Sequence, residues 1–235
     1  MQNPEFETGV IKPIEVYKEA WEMIKDQYWI VFAVTLVGML IGGAVPIVLI
    51  GPMMCGIYLV LFQKHEGRPV DFNQLFKGFD YFVPSLILAI IIMVPTVVLI
   101  FAIYAPMIAF AIAGPRMDES ELMLFIAGTL AVEFVVAVGM VCLHTLLLFS
   151  FPLIVDKKLS AVEAIKLSAR AVWGNLGGVT SLFVVGFGVC IVGYLMLCIG
   201  IYLVLPLIIA ATLVAYRKVF PGTGAPNFTP HNYVS

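Results

Sequence analysis

The sequence predicts an all-α membrane protein with about six transmembrane helices and two or three amphipathic helices at the cytoplasmic interface. Hydrophobic residues make up 62% of the 235 residues and charged residues only 12%, whereas a soluble domain carries about 25% charged residues. The uncharged residues form long stretches, and the basic residues lie between alternate pairs of predicted spans. Composition, stretch length and charge placement thus all indicate lipid as the solvent.

Four apolar stretches predict the spans. Stretches 29–62 and 179–216 run for 34 and 38 residues without a charged side chain. One span needs about 20 apolar residues, so each of these two is long enough for two passes. Stretches 82–114 and 122–155 each predict one long, tilted helix. The predicted spans, within a single transmembrane domain over 1–220, are about 29–44, 46–63, 82–113, 122–154, 178–197 and 200–217.

Glycine and proline residues predict the breaks inside these stretches. Gly42, Gly43 and Pro46 indicate a turn in the first stretch, and 198–200 is the expected break in the last. Kinks are expected where proline removes a backbone donor in the second stretch, at Pro84, Pro95 and Pro106.

The basic residues predict the orientation of the spans. Twelve of the thirteen fall on one side of a six-span arrangement, and only Arg116 falls on the other. Since lysine and arginine favour the cytoplasmic side, both termini are expected there. Two alternatives keep the same bias: a re-entrant hairpin over 29–62, and eight shorter spans.

Two segments outside the spans have the periodicity of amphipathic helices, which typically lie in the membrane interface. Over 13–28 the apolar positions are Ile14, Tyr17, Trp21, Ile24 and Tyr28. Over 160–175 they are Val162, Ile165, Ala169, Val172 and Trp173, followed by Leu176, and Ser160 with Glu163 predicts a capping box at the start. A third, shorter helix is expected from Asp71, burying Phe72, Leu75, Phe76 and Phe79.

The order of these elements predicts an internal repeat. Residues 13–64 and 160–218 each contain an interface helix, an apolar hairpin and a basic end. Both start on the cytoplasmic side, so an axis along the membrane normal would relate them. Residues 221–235 are expected to form a flexible cytoplasmic tail.

Three segments carry a resemblance to a known group of proteins: GPMMCGIYLVLFQKHEGRPVDFNQLFKGFDYF, SAVEAIKLSARAVWGNLGG and VLPLIIAATLVAYRKVF. Over roughly 12–220 the chain resembles uncharacterised bacterial multi-span integral membrane proteins, a group similar to the membrane domain of some glycerophosphodiester phosphodiesterases. The resemblance implies a helical fold and residence in the bacterial inner membrane. It implies no activity, because the phosphodiesterase chemistry belongs to a separate soluble domain.

Glu133 is the most unusual residue, since it lies in the middle of an apolar stretch. Placing an ionisable side chain in hydrocarbon costs roughly 2.5–3.5 kcal/mol, so it predicts either a function or a hydrogen-bonding partner. His144 follows eleven residues later, on nearly the same helix face but about 16 Å along the axis. The two residues therefore predict a polar seam or separate structural bonds, not a catalytic dyad.

Several weaker patterns each have a functional and a packing interpretation. Basic residues near the fifth span could contact anionic lipids or only set the orientation: Lys157, Lys158, Lys166 and Arg170. Small-residue patterns predict close helix contacts at Gly38 with Gly42, at Gly174 with Gly178, and at Gly186, Gly188 and Gly193. The four cysteines, all in apolar stretches, are expected to pack as small apolar residues: Cys55, Cys142, Cys190 and Cys198.

The sequence favours a non-enzymatic inner-membrane component that contacts lipids or other membrane proteins. Phosphate-loop, zinc-protease and serine-hydrolase motifs are absent from the sequence, and no cofactor or metal is expected. A net charge of −2 argues against nucleic acid as a partner. The alternative is a small transporter or channel with Glu133 and His144 on its pathway.

Overall fold

A computed structural model describes residues 5–114, 117–196 and 199–222. Within these ranges it contains helices and no β-strand. The α-helices are α1 (Pro13–Ile24), α2 (Tyr28–Ala44), α3 (Pro46–His65), α4 (Phe82–Ala113), α5 (Glu119–Leu146), α6 (Ser150–Lys157), α7 (Ala161–Gly174), α8 (Leu176–Leu195) and α9 (Ile199–Val219). Two 3-10 segments, Lys25–Gln27 and Phe72–Tyr81, precede α2 and α4.

Six helical segments in the described residues are long and apolar enough to cross a membrane. They are Pro13–Ala44, Pro46–His65, Phe72–Ile112, Glu119–Lys157, Leu176–Leu195 and Gly200–Val219. Their number and order confirm the predicted fold class. The chain is an all-α membrane protein.

The helices form two compact units. The core unit contains the described residues up to Leu88 and from Leu146 onward, and the hairpin unit is Ala89–Thr145. The core unit therefore holds α1 to α3, α6 to α9 and the first turns of α4. The hairpin unit holds most of α4 and α5.

In the core unit, α2 and α3 form the predicted hairpin with its break at Val45. Gly38 and Gly42 face α3, as their spacing predicts. A β-carbon at Gly38 would lie 3.0 Å from the Ile57 side chain, and one at Gly42 would lie 2.9 Å from Ile50. These two glycines let the helices approach closely.

A second close contact joins α3 to the segment that follows it. A β-carbon at Gly56 would lie 1.9 Å from the Leu75 carbonyl oxygen, and one at Gly78 would lie 2.0 Å from that of Pro52. At both positions the neighbouring atom is backbone, so no side-chain movement could make room. Glycine is therefore required on both sides of this contact.

The segment Phe72–Tyr81 differs from the amphipathic helix expected there. Asp71 caps it by accepting a hydrogen bond from Asn73 N at 2.9 Å, but only Leu75 and Gly78 are buried. The predicted burial of three aromatic rings is wrong: the exposed residues include Phe72, Phe76 and Phe79. A 3-10 helix has three residues per turn, so Leu75 and Gly78 share one face while Phe76 and Phe79 share another.

The long helix predicted over 122–154 is divided in two. Helix α5 ends at Leu146 and α6 begins at Ser150. Ser168 of α7 joins the two ends: its hydroxyl donates to Leu146 O at 2.7 Å and accepts from Phe149 N at 3.1 Å. Pro152, which has no N–H, removes one of the bonds that would continue the helix.

Each predicted interface helix packs one face against the rest of the core unit and leaves several large apolar residues exposed. Helix α1 contacts α8 and α9, and α7 contacts α6 and α8. The buried residues of α1 are Val16, Ala20, Met23 and Ile24, and those of α7 are Ala161, Ala164, Leu167, Ser168, Ala171 and Val172. From the predicted apolar faces, Ile14, Trp21, Val162 and Trp173 are exposed.

Residues 5–12 form an N-terminal strap that lies against the core unit. The buried Asn175 side chain accepts from Gly9 N at 2.8 Å and donates to Glu7 O at 2.9 Å. The predicted contact at Gly174 and Gly178 is made to this strap, since Gly174 faces Phe6 and Gly178 faces Ile11. The residues pack closely here, but the partner is a non-helical segment and not the helix that the spacing predicted.

The two predicted repeats have the same element order, α1–α2–α3 and α7–α8–α9. Their contacts differ, because α1 packs on α8 and α9 whereas α7 packs on α6 and α8. Of the predicted breaks, Cys198 lies outside the described residues, although α8 ends at Leu195 and α9 begins at Ile199. The predicted flexible tail also lies outside them from residue 223 onward.

Candidate functional site

The structure places Glu133 and His144 on the same helix without joining them. Glu133 lies at the middle of α5, is partly exposed, and has no hydrogen-bond or ion-pair partner among the described residues. His144 is exposed, and its Nδ1 lies 2.9 Å from Met140 O of its own helix. A carbonyl only accepts, so Nδ1 carries the proton in this bond. The two side chains make no contact with each other, as their separation of eleven residues predicts.

The hairpin unit has an open apolar groove between α4 and α5. Phe110 and Phe125 stack across it with ring centroids 6.3 Å apart. Its lining is Pro106, Met117, Glu121, Leu124, Phe125, Gly128, Thr129 and Val132. Glu133 is not part of this lining. The groove can receive an apolar chain or a helix, and it offers few polar groups to a solute.

Few of the described residues of the hairpin unit are buried. Only Ala89 and Met140 are buried among the described residues of Ala89–Thr145. Large apolar side chains are exposed on both helices, including Phe101 at 68%, Leu124 at 76% and Phe134 at 70%. Such a surface is stable only against lipid or another apolar protein surface.

The four predicted anionic-lipid contacts do not form one uniform site. Lys157 Nζ lies 4.8 Å from the centroid of the Phe220 ring, which is a cation–π contact. Lys158 ends α6 in the left-handed conformation, with φ of 53°. Arg170 pairs with Glu5 of the N-terminal strap at 2.8 Å, and Lys166 is exposed one turn before it on α7. Arg170 is thus partly neutralised, and the other three cations face outward.

A polar cluster that the sequence did not predict lies where α3, α6 and α9 end in the core unit. Asp156 Oδ2 accepts from the Tyr216 hydroxyl at 2.7 Å and from Arg217 Nη1 at 3.1 Å. The Arg217 guanidinium also lies 4.5 Å from the centroid of the Phe62 ring. With side-chain exposures of 12% and 22%, Arg217 and Asp156 form an ion pair that is largely shielded from solvent.

This cluster forms one wall of a cavity of about 180 Å³. The full lining is Leu59, Phe62, Gln63, Glu66, Arg68, Gln74, Val155, Asp156 and Arg217. Arg68 pairs with Glu66 at its rim, so the wall has two guanidinium groups and two carboxylates. Gln63 Oε1 and Arg217 Nε are buried without hydrogen-bond partners. We call this cavity the end pocket.

The sequence did contain a signal for the end pocket. Gln63, Asp156 and Arg217 each stand at the end of an apolar stretch, on the side to which the charge bias assigns the basic residues. The prediction treated Arg217 only as an orientation signal and did not consider Asp156. The sequence does not reveal that three helix ends far apart in the chain lie close together in the folded protein.

The described residues contain no cluster of three or more His, Cys, Asp or Glu side chains that could hold a metal ion. Comparison of the chain with family models, curated proteins and solved structures finds no match. The function must therefore be argued from the geometry of the end pocket and of the hairpin unit.

Proposed function

We propose that this chain is a non-enzymatic, multi-pass component of the bacterial inner membrane that associates with other membrane proteins through its hairpin unit. The observation that carries the proposal is the unpartnered Glu133 at the middle of an otherwise apolar, outward-facing helix. The distribution of basic residues favours an orientation in which both termini and the end pocket lie on the cytoplasmic side of the membrane.

Within the described part of the chain, Glu133 lacks a hydrogen-bonding partner that would offset the cost of placing its side chain in the membrane. An ionisable group near the bilayer centre costs roughly 2.5–3.5 kcal/mol, and a hydrogen bond across a helix interface offsets part of that cost. The described residues provide no such bond. A polar group on a neighbouring membrane protein would supply it, and the surrounding apolar residues would complete the packing.

The groove between α4 and α5 supports the same proposal. Gly128 and Thr129 lie along it one turn before Glu133, and small residues let a neighbouring helix approach closely. A β-carbon at Gly128 would meet no atom within 4 Å, so this space is open to a partner.

Site-specific photo-crosslinking in membranes tests the proposal. A photoreactive residue replaces Leu130, which is 59% exposed on α5 on the side of Glu133, or Val184, which is 66% exposed on α8 and serves as the control. We expect protein adducts from position 130 and lipid adducts alone from position 184. Lipid adducts alone at both positions would contradict the proposal.

Two substitutions of Glu133 define the role of its side chain. Glu133→Gln keeps the hydrogen-bonding groups, so the protein adduct at position 130 should persist, whereas Glu133→Leu should reduce it severalfold. The same two variants also distinguish the proposed association from a transport function. A carboxylate on a proton or cation pathway must ionise, so a transporter would lose activity with Glu133→Gln.

A further inference from the structure

We propose that the end pocket binds a zwitterionic phosphoethanolamine group, supplied by a phospholipid head group or by the free compound. The inference is independent of the proposed association through the hairpin unit, because every residue of the end pocket belongs to the core unit.

The charged groups of the pocket wall indicate a ligand that carries both a positive and a negative charge. Arg68 and Arg217 are balanced by Glu66 and Asp156. A purely anionic ligand would face two carboxylates, and a purely cationic ligand would face two guanidinium groups. A group with a phosphate and an ammonium a few bonds apart can satisfy both.

The hydrogen-bonding groups of the wall lead to the same ligand class. Arg217 Nε is a donor and Gln63 Oε1 is an acceptor, and both are buried without a partner. Guanidinium groups suit phosphate oxygens, while an ammonium has three donors for carboxylate and amide oxygens. We therefore assign the phosphate to Arg68 and Arg217, and the ammonium to Glu66 and Gln63.

One end of this wall is fixed before any ligand arrives. Asp156 holds Arg217 from one side, Tyr216 holds Asp156, and the Phe62 ring lies against the guanidinium. Arg217 is thus preorganised, which lowers the entropic cost of binding. Arg68 and Glu66, with side chains 58% and 43% exposed, form a more accessible part of the lining.

The size and place of the pocket fit a head group. Its volume of about 180 Å³ far exceeds the roughly 10–15 Å³ that one water requires. Its lining includes Phe62 and Gln63 near the end of α3 and Arg217 near the end of α9. In the proposed orientation this is the level of the cytoplasmic lipid head groups.

Lipid titrations with the purified full chain test the inference. Native mass spectrometry and thermal-shift measurements would use phosphatidylethanolamine, phosphatidylcholine and phosphatidylglycerol with identical acyl chains. Phosphatidylcholine lacks N–H donors and phosphatidylglycerol lacks the cation. We expect phosphatidylethanolamine to bind about tenfold more tightly than either, which corresponds to one charge-assisted hydrogen bond. Equal binding of the three lipids, or a preference for phosphatidylglycerol, would overturn the proposal.

Paired substitutions place the effect in the pocket. Glu66→Gln should abolish the preference and Arg68→Gln should weaken the binding of all three lipids, while Lys77→Gln and Asp80→Asn, exposed outside the lining, should change neither. Unchanged preference in Glu66→Gln, or unchanged lipid affinity in Arg68→Gln, would refute the assignment, and circular dichroism verifies that all four variants fold. Displacement of the lipid by free phosphoethanolamine would identify a soluble source; retention of the lipid preference without displacement would identify the membrane source.

Discussion

At the scale of single residues, glycine determines how closely the core unit can pack. Gly56 and Gly78 bring α3 and the 3-10 segment into backbone contact, and Gly51 does the same for α3 and the start of α4. At Gly51 a β-carbon would lie 2.4 Å from the Ser85 carbonyl oxygen. All three contacts involve backbone atoms, which cannot rotate away as a side chain can.

We expect Gly56→Ala to prevent correct folding. The added methyl group would overlap the Leu75 carbonyl oxygen, so the cost should exceed the roughly 1–3 kcal/mol typical of overpacking. The measurement is the yield of monodisperse protein in detergent and its Tm.

Gly188→Ala is the matched control, because a β-carbon there meets no atom within 4 Å. It should leave Tm unchanged or raise it slightly, since alanine favours a helix by about 1 kcal/mol over glycine. Equal behaviour of the two variants would show that the close contact at Gly56 is not required.

These glycines also show which close contacts the sequence can predict and which it cannot. The four-residue spacing of Gly38 and Gly42 correctly predicted a contact surface. Gly51, Gly56 and Gly78 have no such spacing, and they meet segments whose position the sequence does not reveal. The same limit hid the bond between Asp156 and Arg217, which are 61 residues apart.

At the scale of elements, the start of α7 was predicted correctly in its atomic detail. The Ser160 hydroxyl accepts from Glu163 N at 3.4 Å, and Glu163 Oε2 accepts from Ser160 N at 3.1 Å. A capping box is a local interaction over four residues, so the sequence alone can specify it. Asp118 and Glu121 make the equivalent reciprocal bonds at the start of α5.

The capping box makes the start of α7 sensitive to acid. Hydrogen bonds from the Ser160 side chain and backbone lower the pKa of Glu163 below its usual 4.5. A lowered pKa in the folded state contributes stability above pH 4.5, and this contribution is lost as the pH falls through the lowered value. We expect exchange protection of the Ser160 amide, corrected for intrinsic rates, to decrease over that acidic window.

Glu163→Gln is the control for this prediction. Glutamine can occupy the same position in a capping box but does not titrate. Protection of the Ser160 amide in this variant should not depend on pH over the same window. A pH-dependent loss equal to that of the wild type would assign the effect to another group.

Other elements depended on contacts outside themselves. The break between α5 and α6 is stabilised by Ser168, which lies on a different helix. The 3-10 geometry of Phe72–Tyr81 accompanies the close approach of Gly56 and Gly78. Hydrophobic periodicity predicts a continuous, regular α-helix. Packing against another element can break that helix or convert it to 3-10 geometry.

At the scale of the whole molecule, the six spans make a prediction about sidedness. Reporters inserted beside Arg116 and fused to the C-terminus should lie in opposite compartments, with the C-terminal reporter cytoplasmic. A third reporter beside Pro69, between α3 and the Phe72–Tyr81 segment, should match the C-terminus. Agreement between the Arg116 and C-terminal reporters would contradict six spans.

A cysteine at position 45 distinguishes a full crossing from a re-entrant hairpin. Helices α2 and α3 have 17 and 20 residues, about 25 and 30 Å at 1.5 Å per residue. The second length matches the hydrocarbon thickness. We expect Val45→Cys to react with a membrane-impermeant thiol reagent from the side opposite the termini, whereas a re-entrant hairpin would prevent that reaction.

The sequence by itself determined that lipid surrounds the helices, how many spans there are, where the turn near Pro46 lies and that Ser160 caps a helix. Each follows from composition or from residues close together in the chain, because exclusion of charge from lipid and short-range hydrogen bonding need no tertiary information. Only the tertiary structure decided that Asp156, Tyr216 and Arg217 meet beside Gln63, and that the stretch 122–155 is divided between α5 and α6. Those outcomes depend on how helix ends and faces are placed in space, which hydrophobic patterning leaves open because every face of these helices is apolar.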